Sequence, residues 1–148
     1  PHHETLIPQL MEKLTEHGVL AVQMPMNFNE PLFRIIREVS SESDWNFENV
    51  CFEKNDTLSP EEYFDILSSC SSSFEVWETV YYHALPSHEY LIEWVRGTRL
   101  RPYLDVLDDE QKVTFEGEIL SRLKEAYPFT ASGEVILKFR RFFFTAYK

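Results

Sequence analysis

A chain of 148 residues is long enough for one hydrophobic core and short for two. Hydrophobic residues at 43% and charged residues at 26% exclude a disordered tail. The formal charge of −11, from 14 basic and 25 acidic residues, repels phosphate backbones and anionic lipid, so neither nucleic acid nor a membrane surface is expected as a partner.

The first segment, Glu4 to His17, places Leu6, Leu10 and Leu14 on one helical face, with Gly18 at the expected stop. Val19-Leu20-Ala21-Val22 follows as a continuous apolar run, which suggests a parallel strand covered on both faces. Helix, glycine and buried strand form half of a doubly wound α/β unit. The strand gives way at Gln23-Met24-Pro25 to a loop marked by Asn27, Asn29 and Pro31. Ligands in such sheets sit at the carboxyl ends of strands, so this loop stands where a site is expected.

A second helix starts near Pro31 with Leu32, Ile35, Ile36 and Val39 on one face. Residues 40–58 lose periodicity and read as irregular. Ser59, Pro60 and Glu62 then open a third helix through a capping box, with Tyr63, Phe64 and Leu67 as its stripe. Phe74 to Ala84 is rich in aromatic and β-branched residues and predicts a strand. Ser87 is expected to cap a short helix carrying Leu91, Ile92 and Val95, which stops at Gly97 and leads into a turn and a brief helical piece. Asp108 caps the longest helix, 109–127, whose inner face holds Phe115, Ile119, Leu123 and Ala126; a last strand spans Val135 to Tyr147.

Four glycines are present, and the closest two, Gly117 and Gly133, stand 16 positions apart. A phosphate-cradling loop needs several within about six residues, so no dinucleotide fingerprint or P-loop can be written. Cys51 and Cys70 lack CxxC spacing and read as free thiols in a reducing, cytoplasmic compartment. No apolar run approaches the roughly 20 residues of a membrane span, and PHHETLIPQL lacks the order of a secretory signal. The five histidines show no metal-ligand spacing beyond the adjacent pair His2-His3, so no metal is expected.

Three of the eight arginines, Arg96, Arg99 and Arg101, fall within six positions. The guanidinium fork matches a carboxylate, so this cluster is a candidate anion clamp; equally, it can neutralise Glu93 and Asp105. Arg140 and Arg141 point to opposite faces of the last strand. Trp77, Tyr81, Tyr82 and His83 either wall a pocket or fill a core.

The stretches Gly18–Pro25 with Asn27, Glu30 and Pro31, Trp77–His83, and Glu93–Pro102 resemble the trans-aconitate methyltransferase family, and the likeness continues through Arg122-Leu123 and Ala126–Pro128 to Arg141. The chain departs from the family pattern at His17, Arg96 and Arg99 and in the 44–58 segment. The resemblance implies an α/β, Rossmann-like methyltransferase fold that binds S-adenosylmethionine and methylates a small polycarboxylate. It covers the carboxyl-terminal half only, so no cofactor-binding residue is expected in this chain. It further implies one unit, 1–148, in which 1–26 ends the Rossmann-like core, 27–73 is a helical and irregular insertion, and 74–148 supplies closing strands with a helical cap. By the same resemblance Arg101, Arg96 and Arg141 clamp carboxylates, while Tyr82, His83 and Trp94 shape the pocket beside Gln23 and Asn27. The alternatives are a non-catalytic ligand-binding or oligomerisation module derived from that fold, and an unrelated α+β ligand-binding domain. Self-association through an exposed sheet edge is expected.

Overall fold

A computed structural model describes residues 2–42, 44, 45, 47, 50 and 57–148. Among these the order is α1 (His3–Glu12), β1 (Val19–Pro25), α2 (Pro31–Ser40), α3 (Pro60–Cys70), β2 (Ser73–Leu85), α4 (Glu89–Arg96), α5 (Arg101–Leu104), α6 (Asp109–Ala126) and β3 (Val135–Tyr147). The irregular 44–58 stretch lies largely outside the described residues, as does Cys51. Cys70 is a free thiol whose pKa is pushed up by burial.

Local chemistry sets several boundaries. The Ser59 hydroxyl accepts from the Glu62 N–H at 3.2 Å, and Glu62 accepts from the Ser59 N–H at 2.7 Å. Asp108 and Gln111 make the same reciprocal pair at 2.8 and 3.1 Å, so both capping boxes satisfy donors that a helix start leaves open. Ser87 does not cap α4. The N-cap is His88, and the Ser87 hydroxyl bonds the Glu89 carboxylate instead.

Helix α1 ends five residues before the expected stop. Its buried face is Ile7 and Met11, with Leu6 exposed, so the apolar stripe is rotated from the leucine spacing. His17 takes the left-handed backbone at φ 62°. Gly18 is needed for close approach, because a Cβ there would sit 2.8 Å from the Thr15 carbonyl oxygen. The Lys148 ammonium donates to the Glu12 and Leu14 carbonyls at 2.8 and 2.6 Å, closing the end of α1 with a cation where the helix dipole favours one.

The sheet is three-stranded and antiparallel in the order β1-β3-β2. Strand β1 runs antiparallel to β3, with Val19 opposite Tyr147 and Pro25 opposite Arg141. The expected parallel strand is not confirmed: the neighbour of β1 among the described residues runs antiparallel, and only one face of β1 is covered. Met24 is buried and Leu20 and Val22 half-buried, whereas Val19, Ala21, Gln23 and Pro25 are exposed. The apolar run misled because its outward members are as hydrophobic as its inward ones.

Hydrogen bonds from Lys148 to Gly18 and from Met26 to Arg140 frame this ladder at the even positions of β1. The N–H and C=O groups of Val19, Ala21 and Gln23 therefore point away from β3, along the strand's outer edge. Pro25 lacks an N–H and is tolerated on that side for the same reason.

The chain divides into two compact units, one of Pro1–Met26, Lys54–Val80 and Arg140–Lys148, the other of Asn27–Glu53 and Tyr81–Phe139. In the first, Ile7 and Met11 of α1 and Tyr63 and Leu67 of α3 pack on Met24, Phe142, Phe144 and Ala146 of the strands. In the second, α2, α4 and α6 bury Leu32, Leu91, Phe115 and Leu123 against Leu85, Val135 and Leu137. Each core has an aromatic centre. Tyr63 lies 5.2 Å from Phe142, and Phe47, Tyr103 and Phe115 meet within 5.5 Å of one another.

Candidate functional site

In the second unit, strand alternation puts Tyr81 and His83 on one face of β2 and Tyr82 on the other. The His83 ring stands 4.7 Å from Trp94 of α4 and 6.1 Å from Phe139 of β3, and Tyr81 stacks on it at 6.2 Å. His83 and Trp94 are thus brought together, while Tyr82 is 65% exposed on the opposite face. Trp94 remains 41% exposed, so these rings form an open aromatic wall rather than a closed core. Asn27 is buried at the start of the loop that follows β1.

The clustered arginines already hold carboxylates. Arg96 Nε and Nη2 donate to Glu116 of α6 at 2.8 and 2.9 Å, and Nη1 donates to Glu93. The Glu116 hydrogen bonds are the main reason that its pKa lies above the ordinary value. Arg101 is exposed and sits 3.5 Å from Asp105. A ligand carboxylate at either position must displace a resident one. Arg99 lies 5.9 Å from the Phe33 ring.

Sequence proximity did not reveal Arg37. This half-buried residue of α2 stacks its guanidinium 3.6 Å from the Phe28 ring, and its Nη2 donates to the Phe28 carbonyl at 2.7 Å. Among the described residues it makes no ion pair. Burial holds it below the ordinary arginine value, opposed by Glu38 and Tyr103 and reinforced by the positive charges of Arg34 and Arg99. The one available signal was its i+3 spacing from Arg34, which carries no chemistry alone.

An open depression of about 480 Å³ in the same unit is lined by His88, Glu89, Lys124, Tyr127, Pro128 and Phe129. His88 is buried there, its Nε2 2.7 Å from the Tyr127 carbonyl oxygen and its ring 4.5 Å from Phe129. None of the residues expected from the sequence lines it.

In the first unit, Gln23 and Arg141 share the exposed face of the sheet. With the amide oriented to suit both neighbours, the Gln23 oxygen accepts from Arg141 Nη1 and from the Met24 N–H, each at 2.9 Å. The two expected site residues are therefore in direct contact. Trp77 lies parallel to Phe143 at 5.3 Å on that face. Arg140, on the reverse face, pairs with Glu78 at 2.6 Å.

Fold and side chains together define an α/β protein, a three-stranded antiparallel sheet packed with helices. No family model matches the chain. Over almost all of its length it is homologous to the carboxyl-terminal part of trans-aconitate 2-methyltransferases. It is 40% identical over 148 residues to that of Methylobacterium nodulans, covering 99% of this chain and 57% of the relative. The corresponding protein of Escherichia coli O7:K1 is 38% identical over 146 residues, covering 99% and 56%, and that of Agrobacterium fabrum 38% over 150 residues, covering 100% and 59%. The chain thus spans a little over half the length of the curated relatives it matches. None of its described helices is long and apolar enough to cross a membrane.

Proposed function

We propose that this chain is the substrate-binding half of a methyltransferase that uses S-adenosylmethionine and acts on a carboxylate of a small polycarboxylic acid. The observation that carries this reading is the similarity along the whole chain to proteins named for that reaction. The strand order supports a further part of it: β1 and β2 both run opposite to β3, as closing strands of a larger Rossmann-like sheet whose remaining strands lie beyond β1.

The residues present do not fit the cofactor. The four glycines stand no closer than 16 positions apart, so they form no glycine-rich loop, and Gly18 is crowded by Leu14 and Thr15 in the turn after α1. No step through S-adenosylmethionine is therefore assigned to this chain. Its contribution is to the acceptor. A carboxylate is ionised at neutral pH, so methylation requires no strong general base; it requires orientation and counter-charge for the remaining carboxylates. In the second unit Arg101 and Arg96 supply fork-shaped counter-charges once their resident carboxylates are displaced; in the first, Gln23 holds Arg141 in place. His83 and Trp94, with Asn27, shape the surroundings, while Tyr82 stands on the opposite face of β2.

The test is methyl transfer from labelled S-adenosylmethionine to trans-aconitate. The 148-residue chain alone should be inactive. The chain joined to the preceding part of the Methylobacterium nodulans relative should transfer methyl groups and lose most of that activity on Arg101→Ala. A joined protein that is inert toward every polycarboxylate, or tight cofactor binding by the chain alone, would refute this division of labour.

The outer edge of β1 favours a second role, self-association. Among the described residues no strand pairs with the outward backbone groups of Val19, Ala21 and Gln23, and no charged residue interrupts Val19–Pro25. Two copies of a chain of charge −11 meet most easily along such a stretch. Light scattering should show association that weakens in Ala21→Lys; a monodisperse monomer at high concentration would rule it out.

A further inference from the structure

In an acidic protein, an arginine that holds no resident carboxylate takes a ligand carboxylate without having to displace one. Of the arginines described, Arg34 pairs with Glu38, Arg96 with Glu93 and Glu116, Arg101 with Asp105, Arg122 with Glu42 and Glu118, and Arg140 with Glu78. Arg37 has no such pair among the described residues. Its stem rises from α2 between buried Ile36 and Val39, and its fork is held flat on Phe28 by the ring and by the bond to the Phe28 carbonyl. That bond uses one N–H of Nη2 and leaves Nε and Nη1 without an acceptor among the described residues.

The surroundings are charged and ordered. Arg34 stands one turn earlier on α2, and the charges of Arg34 and Arg99 act on Arg37 together with the opposing carboxylate of Glu38, which Arg34 holds at 2.6 Å. The Ser40 hydroxyl reaches the Arg37 carbonyl at 3.0 Å and the Tyr103 hydroxyl at 3.1 Å, which fixes the last turn of α2 beneath the guanidinium. Phe28 belongs to the loop that leaves the carboxyl end of β1. A guanidinium preorganised on an aromatic face loses little freedom when it takes a bidentate partner, and its partial desolvation strengthens that bond.

We propose that Arg37, stacked on Phe28 beside Arg34 and Arg99, is the anchoring arginine for a carboxylate of a small polycarboxylate ligand. The proposal rests on the substrate-binding reading above and adds a residue to it. Arg37 binds through a planar fork, so a carboxylate is preferred to a monatomic anion, and a second and third carboxylate gain from the neighbouring positive field. Phe28 acts as a positioning residue, because it touches the guanidinium rather than the ligand.

The experiment uses the chain as it stands, titrated by calorimetry at fixed ionic strength with trans-aconitate, acetate and inorganic phosphate. Saturable binding of trans-aconitate is expected, with acetate at least tenfold weaker. Arg37→Gln should weaken trans-aconitate binding at least tenfold, while Arg122→Gln, a surface arginine with two resident carboxylates, should change it less than twofold. Arg37→Lys keeps the charge and the stem over Phe28 but loses the fork, so it should fall between; circular dichroism confirms that each variant is folded. Arg37→Gln binding equal to the parent would overturn the anchor and leave the substrate-binding reading intact. Equal losses in Arg37→Gln and Arg122→Gln would reduce the effect to general charge and overturn the anchor as well. Phosphate binding as tight as trans-aconitate, and equally lost in Arg37→Gln, would overturn the carboxylate preference. Absence of any trans-aconitate binding by the parent chain would overturn the substrate-binding reading itself and the anchor with it.

Discussion

The two units solve the same problem with different partners. Each core is pinned by a buried tyrosine whose hydroxyl accepts a backbone N–H. In the first unit Tyr63 accepts from Leu58 at 3.2 Å and its other contact is the His3 ring at 2.6 Å. In the second, Tyr127 accepts from Leu32 at 3.0 Å and donates to the Glu30 carboxylate at 3.0 Å. A hydrogen bond to a charged acceptor is roughly twice as strong as one to a neutral acceptor. The second unit therefore fixes its loop and the start of α2 more firmly than the first fixes α1, and it is in the second that most of the expected ligand-facing residues lie.

The largest effect that bears on this comparison is core truncation. Phe115→Ala in the second unit and Phe144→Ala in the first remove fully buried rings, and each should cost about 3–5 kcal/mol in urea denaturation. A loss under about 1 kcal/mol at either site would show that one core collapses around its cavity, and the equivalence of the two would break.

The tyrosines sharpen the contrast. Tyr127→Phe leaves the Leu32 N–H and Glu30 without their partner and should cost about 2–3 kcal/mol, against about 1 kcal/mol for Tyr63→Phe. Burial, first among the causes, raises both phenols above their ordinary value of 10.0. A raised folded pKa means that the folded state keeps its proton longer than the unfolded one. The stabilisation is then complete below pH 10 and is lost as pH climbs above it. Stability measured from pH 8 to 12 should fall less steeply in Tyr127→Phe than in the parent. Equal slopes would place the alkaline loss elsewhere.

The smallest effects come from the two capping boxes. Ser59→Ala in the first unit and Asp108→Ala in the second should each cost about 1 kcal/mol by thermal melting. A much larger loss at one of them would show that its helix start limits the stability of its unit.

Periodicity located the elements well where one face is buried and the caps are chemical. Helix α2 with Leu32, Ile35, Ile36 and Val39 inside, α6 with Phe115, Ile119 and Leu123, and β3 from Val135 to Tyr147 are as the sequence pattern predicts. It was less informative where apolar residues exceed what the fold buries. Leu6 lies outside in α1, Phe64 is 51% exposed against Phe74, and the Val19–Val22 run sits on an edge strand. The candidate site divides in the same way. Residue type pointed to arginine, histidine and tryptophan, and His83 with Trp94 and Gln23 with Arg141 are in contact. The pairs of Arg96 with Glu93 and Arg101 with Asp105 were legible as near neighbours, whereas Glu116, 20 residues from Arg96, and Phe28, nine from Arg37, were hidden.

The sequence by itself determined the helix starts at Ser59 and Asp108, the amphipathic faces of α2 and α6, the absence of a glycine-rich loop and the acidic charge. These depend on neighbours within one or two turns, or on composition. Tertiary structure alone decided that β1 pairs antiparallel at an edge, that the Gly18 backbone is crowded by the turn after α1, and that Arg37 stacks on Phe28 without a carboxylate partner among the described residues. Strand direction and charge pairing join residues distant in the chain, and only the folded backbone brings their donors and acceptors within reach.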